Sequence, residues 1–279
     1  MLLRVKKCIL SLVVCGIVIS SFAQSVGGSG FEIGIRGAAA SNWLFNASVA
    51  STGQQDYSAA LSYNYGIDMA YDFSERFALE VNLLIGNTTQ GYNGTFDENG
   101  TLPYNNEAYI ATESFNAKTQ LNLIGIPILM RFGSGNGAYI ELGTEIQIIT
   151  SATYSISFTD VPSNAASYSG SVKNAFAPNS VSGVLGFGDD FQLGSSGLNI
   201  ITDLRFYYDL TDMRGVDGFG QNLNVNIDGY PNTLYTAPYG STGKPYYAGY
   251  KPTKEAGASF SIGLYYFFGG GGDKHPSRR

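Results

Sequence analysis

Eight stretches of this chain carry apolar side chains at every second position, and the connections between them alternate between short and long. Such alternation puts residues i, i+2 and i+4 on one face of an extended strand, so the chain reads as all-β. In the first stretch Phe31, Ile33 and Ile35 oppose Glu32, Gly34 and Arg36; in the second Leu61, Tyr63, Tyr65, Ile67, Met69 and Tyr71 oppose Ser62, Asn64, Gly66, Asp68 and Ala70. The third sets Phe77, Leu79, Val81, Leu83 and Ile85 against Ala78, Glu80 and Asn82, and the fifth (138–150) sets Ile140, Leu142, Ile146 and Ile148 against Glu141, Gly143, Glu145 and Gln147. The seventh (198–210) opposes Ile200, Leu204, Phe206 and Tyr208 to Asn199, Asp203, Arg205 and Asp209; the eighth places Phe260, Ile262, Leu264, Tyr266 and Phe268 on one face. The sixth, about 180–191, is the least regular. The fourth, "KTQLNLIGIPILMRF", breaks phase between Leu123 and Ile126, which predicts a bulge near Gly125-Ile126-Pro127 that also accommodates the proline.

The short connections fall at 72–76, 133–137 and 193–197, the long ones at about 46–57, 88–115, 153–178 and 211–255. Short turns at one rim and long loops at the other are the layout of a membrane barrel with periplasmic turns and extracellular loops. A soluble β-sandwich also alternates. Here, however, the large apolar and aromatic side chains share one face while glycine, serine, asparagine and charge share the other, as in a wall turned outward to lipid. Aromatic residues also gather at strand ends, with Tyr71, Phe77, Phe132, Tyr139, Tyr266 and Phe268 toward the short-turn rim and Trp43, Tyr63, Tyr154 and Phe206 toward the long-loop rim. The prediction is an eight-stranded antiparallel transmembrane β-barrel in the outer membrane, with both termini periplasmic.

The first residues read as an export leader: Arg4, Lys6 and Lys7 are basic, Cys8 to Ile19 are apolar, and Ser21-Phe22-Ala23 is a small-x-small cleavage site. The expected organisation is a leader over 1–23, a barrel over 24–268 and a flexible periplasmic tail over 269–279. Cys8 and Cys15 both lie in the leader, leaving the barrel without a disulfide, a thiol nucleophile or a cysteine metal site. Removing the leader's three basic residues takes the formal charge from −6 to −9, which argues against nucleic acid as a partner.

On the leader's "FAQ" end, "FEIGIRGAAASNW", "LNLIGIPILMRF", "ITDLRFYYDLTDM" and the closing "SIGLYYFF", the sequence resembles the small eight-stranded outer-membrane barrels of the Bacteroidota, the porin-like or PorT-like group. The resemblance implies the fold, and roles that range from components of secretion machines to barrels with no assigned task. The tail beyond Phe268 departs from the group's pattern, which ends at the aromatic residue.

An eight-stranded barrel has an interior just wide enough for side chains to fill. The inward set contains Glu32, Arg36, Asp68, Glu80, Glu141, Glu145, Asp203 and Arg205, and charges in such a space pair or reach water. Arg36 is expected to meet Asp68 or Glu80, and Arg205 to meet Glu145 or Asp203. One reading is a salt-bridge plug; the other is a gated ion or proton path through the acid excess.

Catalysis has little to work with. The only histidine, His275, lies in the tail, away from any site beneath the long loops, and imidazole is the usual general base near neutral pH. "DENG" (97–100) and "DMRGVDGFG" (212–220) match no calcium-loop spacing, so neither a metal nor a cofactor is expected. The last long loop carries Tyr230, Tyr235, Tyr239, Tyr246, Tyr247 and Tyr250 among glycine, asparagine and proline, and the second adds Tyr92, Tyr104 and Tyr109. Tyrosine on such loops supplies amphipathic contact surface for a partner; the alternative is a loop folded over the barrel mouth. The expectation is a non-enzymatic subunit or binding module that contacts outer-membrane lipid and other outer-membrane or surface proteins. The alternatives are a narrow channel lined by Glu32, Glu80, Glu141 and Glu145, or a surface adhesin.

Overall fold

A computed structural model describes residues 29–46, 55–58, 60–74, 76–96, 113–133, 137–158, 168–193, 197–214 and 252–269. The leader, the tail from residue 270 with His275, the tyrosines of the last long loop from Tyr230 to Tyr250, and Tyr104 and Tyr109 lie outside the described residues.

Ten strands are present: β1 (Gly30–Asn46), β2 (Gln55–Ser58), β3 (Leu61–Ser74), β4 (Phe77–Phe96), β5 (Glu113–Gly133), β6 (Ala138–Phe158), β7 (Tyr168–Ser171), β8 (Asn179–Gln192), β9 (Leu198–Asp209) and β10 (Thr253–Gly269). Eight of them form a closed antiparallel ring in the order β1-β3-β4-β5-β6-β8-β9-β10. The ring closes where β10 pairs β1 in a single register from Gly30↔Gly269 to Asn46↔Thr253. Closure leaves no open edge around the ring. The short β2 and β7 flank β4 and β6 and extend the neighbouring staves.

The alternation places side chains as the pattern demands. Ile35, Leu61, Leu142 and Phe268 are more than half exposed on the outer wall, whereas Glu32, Asp68, Glu80 and Glu141 are fully buried inside. On β4, β5 and β6 the outward apolar positions span residues 77–85, 124–132 and 138–148. These lengths match the roughly nine to eleven residues that a tilted strand needs to cross a bilayer core.

The fourth stretch differs from expectation. β5 keeps one phase from Ala117 to Phe132, with Leu121, Leu123 and Leu129 buried inside the barrel, so no bulge sits at Gly125-Ile126-Pro127. Pro127 has no N–H to give to β4; the β4–β5 pairing runs to Val81↔Ile128, skips two positions and resumes at Leu84↔Gly125 in the same register. The extra residue is Thr150 on the neighbouring strand, between Asn122↔Ser151 and Leu123↔Ile149. Its hydroxyl donates to the Asn122 carbonyl at 2.9 Å. This bulge flips the phase of β6, so Ala152 and Tyr154 point inward where Ser151 and Thr153 face out.

Three tyrosines therefore lie elsewhere than expected. Tyr139 and Tyr154 are buried in the lumen rather than standing in the outer girdles, and Tyr92 is an interior residue of β4 rather than part of a loop. The strands also run further than the apolar pattern, with β4 continuing to Phe96 and β5 starting at Glu113. Polar outward residues there mark departure from the apolar band, while the ladder continues. β4, β5 and β6, with β2 and β7 beside them, thus stand above the band as a wall, about 30 Å along each strand at the usual rise. β8 and β9, of 14 and 12 residues, are shorter than the 20 or 21 of β4 to β6 and do not reach that height.

Candidate functional site

The lumen is layered. Nearest the short-turn rim, Tyr139, Ile201 and Tyr265 form a buried cluster. Three lumenal tyrosines lie across a glycine on the next strand: Tyr265 opposite Gly34, Tyr139 opposite Gly188, and Tyr207 opposite Gly257. A Cβ on those glycines would fall 2.6, 2.3 and 2.6 Å from the ring, so the absence of a side chain lets the aromatic fold flat against the wall.

The tyrosine hydroxyls reach into a charge network. Arg36 donates from Nε to Asp68 Oδ2 at 2.6 Å and from Nη2 to Asp203 Oδ2 at 2.8 Å, Glu80 Oε1 at 3.3 Å and Tyr265 Oη at 2.9 Å. Arg205 grips Glu141 with two nitrogens, at 2.8 and 3.1 Å, and reaches Glu80 Oε1 at 2.7 Å. A third guanidinium, Arg131, donates to Glu32 Oε2 at 3.0 Å and to Glu80 Oε2, and lies 4.8 Å over the Tyr139 ring. Tyr139 donates to Asp203 and Tyr265 to Asp68. Glu80 is the hub, touched by all three guanidiniums and by Asn82 at 2.8 Å. Bidentate and shared contacts of this kind are what a desolvated ion cluster needs to offset its burial.

Of the eight inward charges read from sequence, the structure gathers seven in this network, and Arg36 and Arg205 each take more than one carboxylate. Glu145 stands apart. It lines a cavity of about 40 Å³ beside Arg36, Arg205, Asn64, Thr88 and Tyr207, large enough for about two or three waters. Arg205 reaches toward Asp203 at 3.7 Å and makes no ion pair with Glu145 among the described residues.

Above the cavity a second polar group follows, this one without arginine. Glu255 Oε1 accepts from Asn42 at 2.8 Å and Thr88 at 2.7 Å; Asp209 accepts from Ser182 and from the Glu255 backbone N–H at 3.2 Å; Tyr207 donates to Asn42. Leu44, Tyr92, Leu121, Tyr154, Phe176 and Met213 are also buried toward the long-loop side, together with the polar Gln90 and Thr119. Sequence reasoning passed over Arg131 because the apparent phase break obscured which face of the fourth stretch was inward. It passed over Glu255 because that residue sat in what read as loop. Parity carried forward from Leu129 finds Arg131, and parity carried back from Ser259 finds Glu255.

The outer face of the wall is a different surface. Asn93, Asn116, Lys118, Thr153, Ser157 and Ser169 are exposed there, polar and almost uncharged. Among the described residues no group of three or more histidine, cysteine or acidic side chains is placed to hold a metal ion.

Residues 22–215 match the family model described as outer membrane protein beta-barrel domain. The chain is also similar to solved structures: Neisserial surface protein A (12% identity, 87% of this chain and all of that one, TM-score 0.35), the outer membrane protease OmpT from Escherichia coli (8%, 88% and all, 0.39) and the outer membrane protein OprG from Pseudomonas aeruginosa (13%, 87% and 97%, 0.32). Against curated proteins the chain has no match.

Proposed function

The chain belongs to the outer membrane protein beta-barrel domain family, and from that premise we propose that it is a non-enzymatic binding module, a subunit of a larger outer-membrane assembly in secretion, uptake or barrel insertion. It is an integral outer-membrane protein, and in this reading both termini and the short turns are periplasmic while the long-loop rim faces outward. The observation that carries the proposal is the wall. Three adjacent staves continue about ten residues past the apolar band, with an inner face of mixed apolar and polar side chains that is buried and a polar outer face that is exposed. A rigid sheet held clear of the lipid suits docking to another protein better than a mobile loop does, since less order is lost on binding. The resemblance of "ITDLRFYYDLTDM" and "SIGLYYFF" to PorT-like barrels of the Bacteroidota supports the same reading.

The lumen favours a binding role over conduction: buried ion pairs link side chains from β1, β3, β4, β5, β6 and β9 across it. Planar-bilayer recording of the purified barrel is expected to show no steady cation current; a conductance lost on Glu145→Ala would instead establish the narrow channel. The binding module itself is tested by placing a photocrosslinking residue at Thr153 on the wall and at Ile140 in the apolar band. Thr153 is expected to capture a stoichiometric companion in native membranes. A barrel that elutes alone in mild detergent and gives no adduct from the wall overturns the proposal.

A further inference from the structure

On the short side of the long-loop rim, three cationic side chains sit on segments that run beside one another. Phe176 and Arg214 form a β-bridge, the Ala177 N–H donates to the Met213 carbonyl at 2.9 Å, and the Met213 N–H donates to the Thr253 carbonyl at 3.1 Å. These contacts bring Lys173, Arg214 and Lys254 to one arc that runs from β6 past β8 and β9 to β10. Lys173 Nζ donates to the Thr150 carbonyl at 2.7 Å, and Lys254 Nζ to the carbonyls of Leu210 and Thr211 at 2.8 and 2.7 Å. Carbonyl oxygens carry no formal charge, so these bonds leave both ammonium charges in place, although Lys254 also lies within electrostatic reach of Asp209. The Arg214 side chain is exposed, held out by a left-handed backbone at φ 61°. Asp212 Oδ1 accepts from the backbone N–H groups of Arg214 and Thr253, at 2.9 and 3.0 Å. Among the described residues none of the three cations is in an ion pair.

The level of the arc is fixed by the apolar band. Lys173 caps the carbonyl of Thr150, two positions above Ile148, where the outer face of β6 turns polar. Lys254 lies two positions above Ala256, which pairs with the exposed Tyr208. At the same height on the tall side the outward residues are Asn87, Asn122 and Ser151, all neutral. A chain of net charge −6 thus gathers three cations on one arc at the edge of its lipid-facing surface, with the carboxylates of Asp209 and Asp212 beside them.

We propose that this arc binds the phosphate groups of an outer-leaflet glycolipid, whose acyl chains lie along the apolar faces of β8 to β10. The chemistry is complementary: phosphate oxygens accept from the free Arg214 fork and from the remaining ammonium protons, and each basic side chain at an anionic membrane surface shifts binding by about fivefold. The proposal rests on the long-loop rim facing outward. Labelling Thr153→Cys on intact cells with a membrane-impermeant maleimide tests that orientation separately, because the barrel carries no other cysteine.

The binding test uses the full chain in mild detergent, titrated with diphosphoryl lipid A and with its dephosphorylated form and read by native mass spectrometry. Diphosphoryl lipid A is expected to bind preferentially. The Lys173→Ala, Arg214→Ala, Lys254→Ala triple variant should lose at least tenfold in affinity, with Arg76→Ala at the opposite rim unchanged. Heat-modifiable gel mobility confirms that each variant is folded. Equal binding of the two lipid forms, unchanged binding by the folded triple variant, or equally effective competition by millimolar inorganic phosphate would each overturn the proposal.

Discussion

Glu80 shows how much one side chain can hold in a confined interior. It accepts from three guanidiniums contributed by β1, β5 and β9, so it ties together staves that are not neighbours in the ring. Glu80→Ala leaves those cations buried with fewer partners and is expected to cost about 3–5 kcal/mol, read as a lower urea midpoint in detergent or lipid. The glycines facing the lumenal tyrosines are equally specific. A Cβ at Gly188 lies 2.3 Å from the Tyr139 ring and 2.6 Å from the Thr202 carbonyl, so Gly188→Val must expel the ring and strip Asp203 of a donor. That substitution is expected to destabilise by about 1–3 kcal/mol, and a matched Tyr139→Ala, Gly188→Val pair should show less than the additive loss in a double-mutant cycle. At this scale parity alone made Arg36, Asp68, Glu80 and Asp203 legible as inward charges. It could not name Glu80 as the hub, because which charges meet across a barrel depends on stagger between staves.

The strands were legible where they cross the apolar band and illegible beyond it. Outward positions turn from Ile85, Ile124 and Ile148 to Asn87, Asn122 and Thr150, and a pattern reading ends each strand there, although the hydrogen-bonded ladder does not. The bulge was misplaced for a related reason. Leu121 and Leu123 are apolar yet inward, so the fourth stretch has large residues on both faces, and hydrophobicity cannot tell lipid from a buried interior. Thr150 is the extra residue that separates the two regimes, with Ala152 and Tyr154 inward beyond it. Deleting Thr150 removes the extra residue, so Ser151 follows Ile149 as the outward position while Ala152 and Tyr154 stay inward; the shortened β6 is expected to pair β5 without a bulge and to keep the barrel's heat-modifiable mobility. Proteolysis within 151–158 should stay as slow as in the parent barrel, and faster cleavage there would mean that the bulge itself holds the upper strand.

As a whole the molecule is a ring of unequal height, its tall arc presenting a polar sheet and its low arc presenting cations at the edge of the lipid-facing band. The seam between β1 and β10 has a meaning for the ring that neither strand has alone. Sequence order and spatial order coincide all the way round, and the last paired residues, Gly30 and Gly269, are partners. Topologically the barrel is therefore a circle that happens to be cut once. Joining Gly30 to Gly269 through a short glycine linker and opening the chain instead in the turn at 133–137, with the leader moved to the new start, is expected to give a circular permutant with the same heat-modifiable mobility. Failure of that permutant to fold would mean that the position of the cut carries information for insertion that the finished ring does not display.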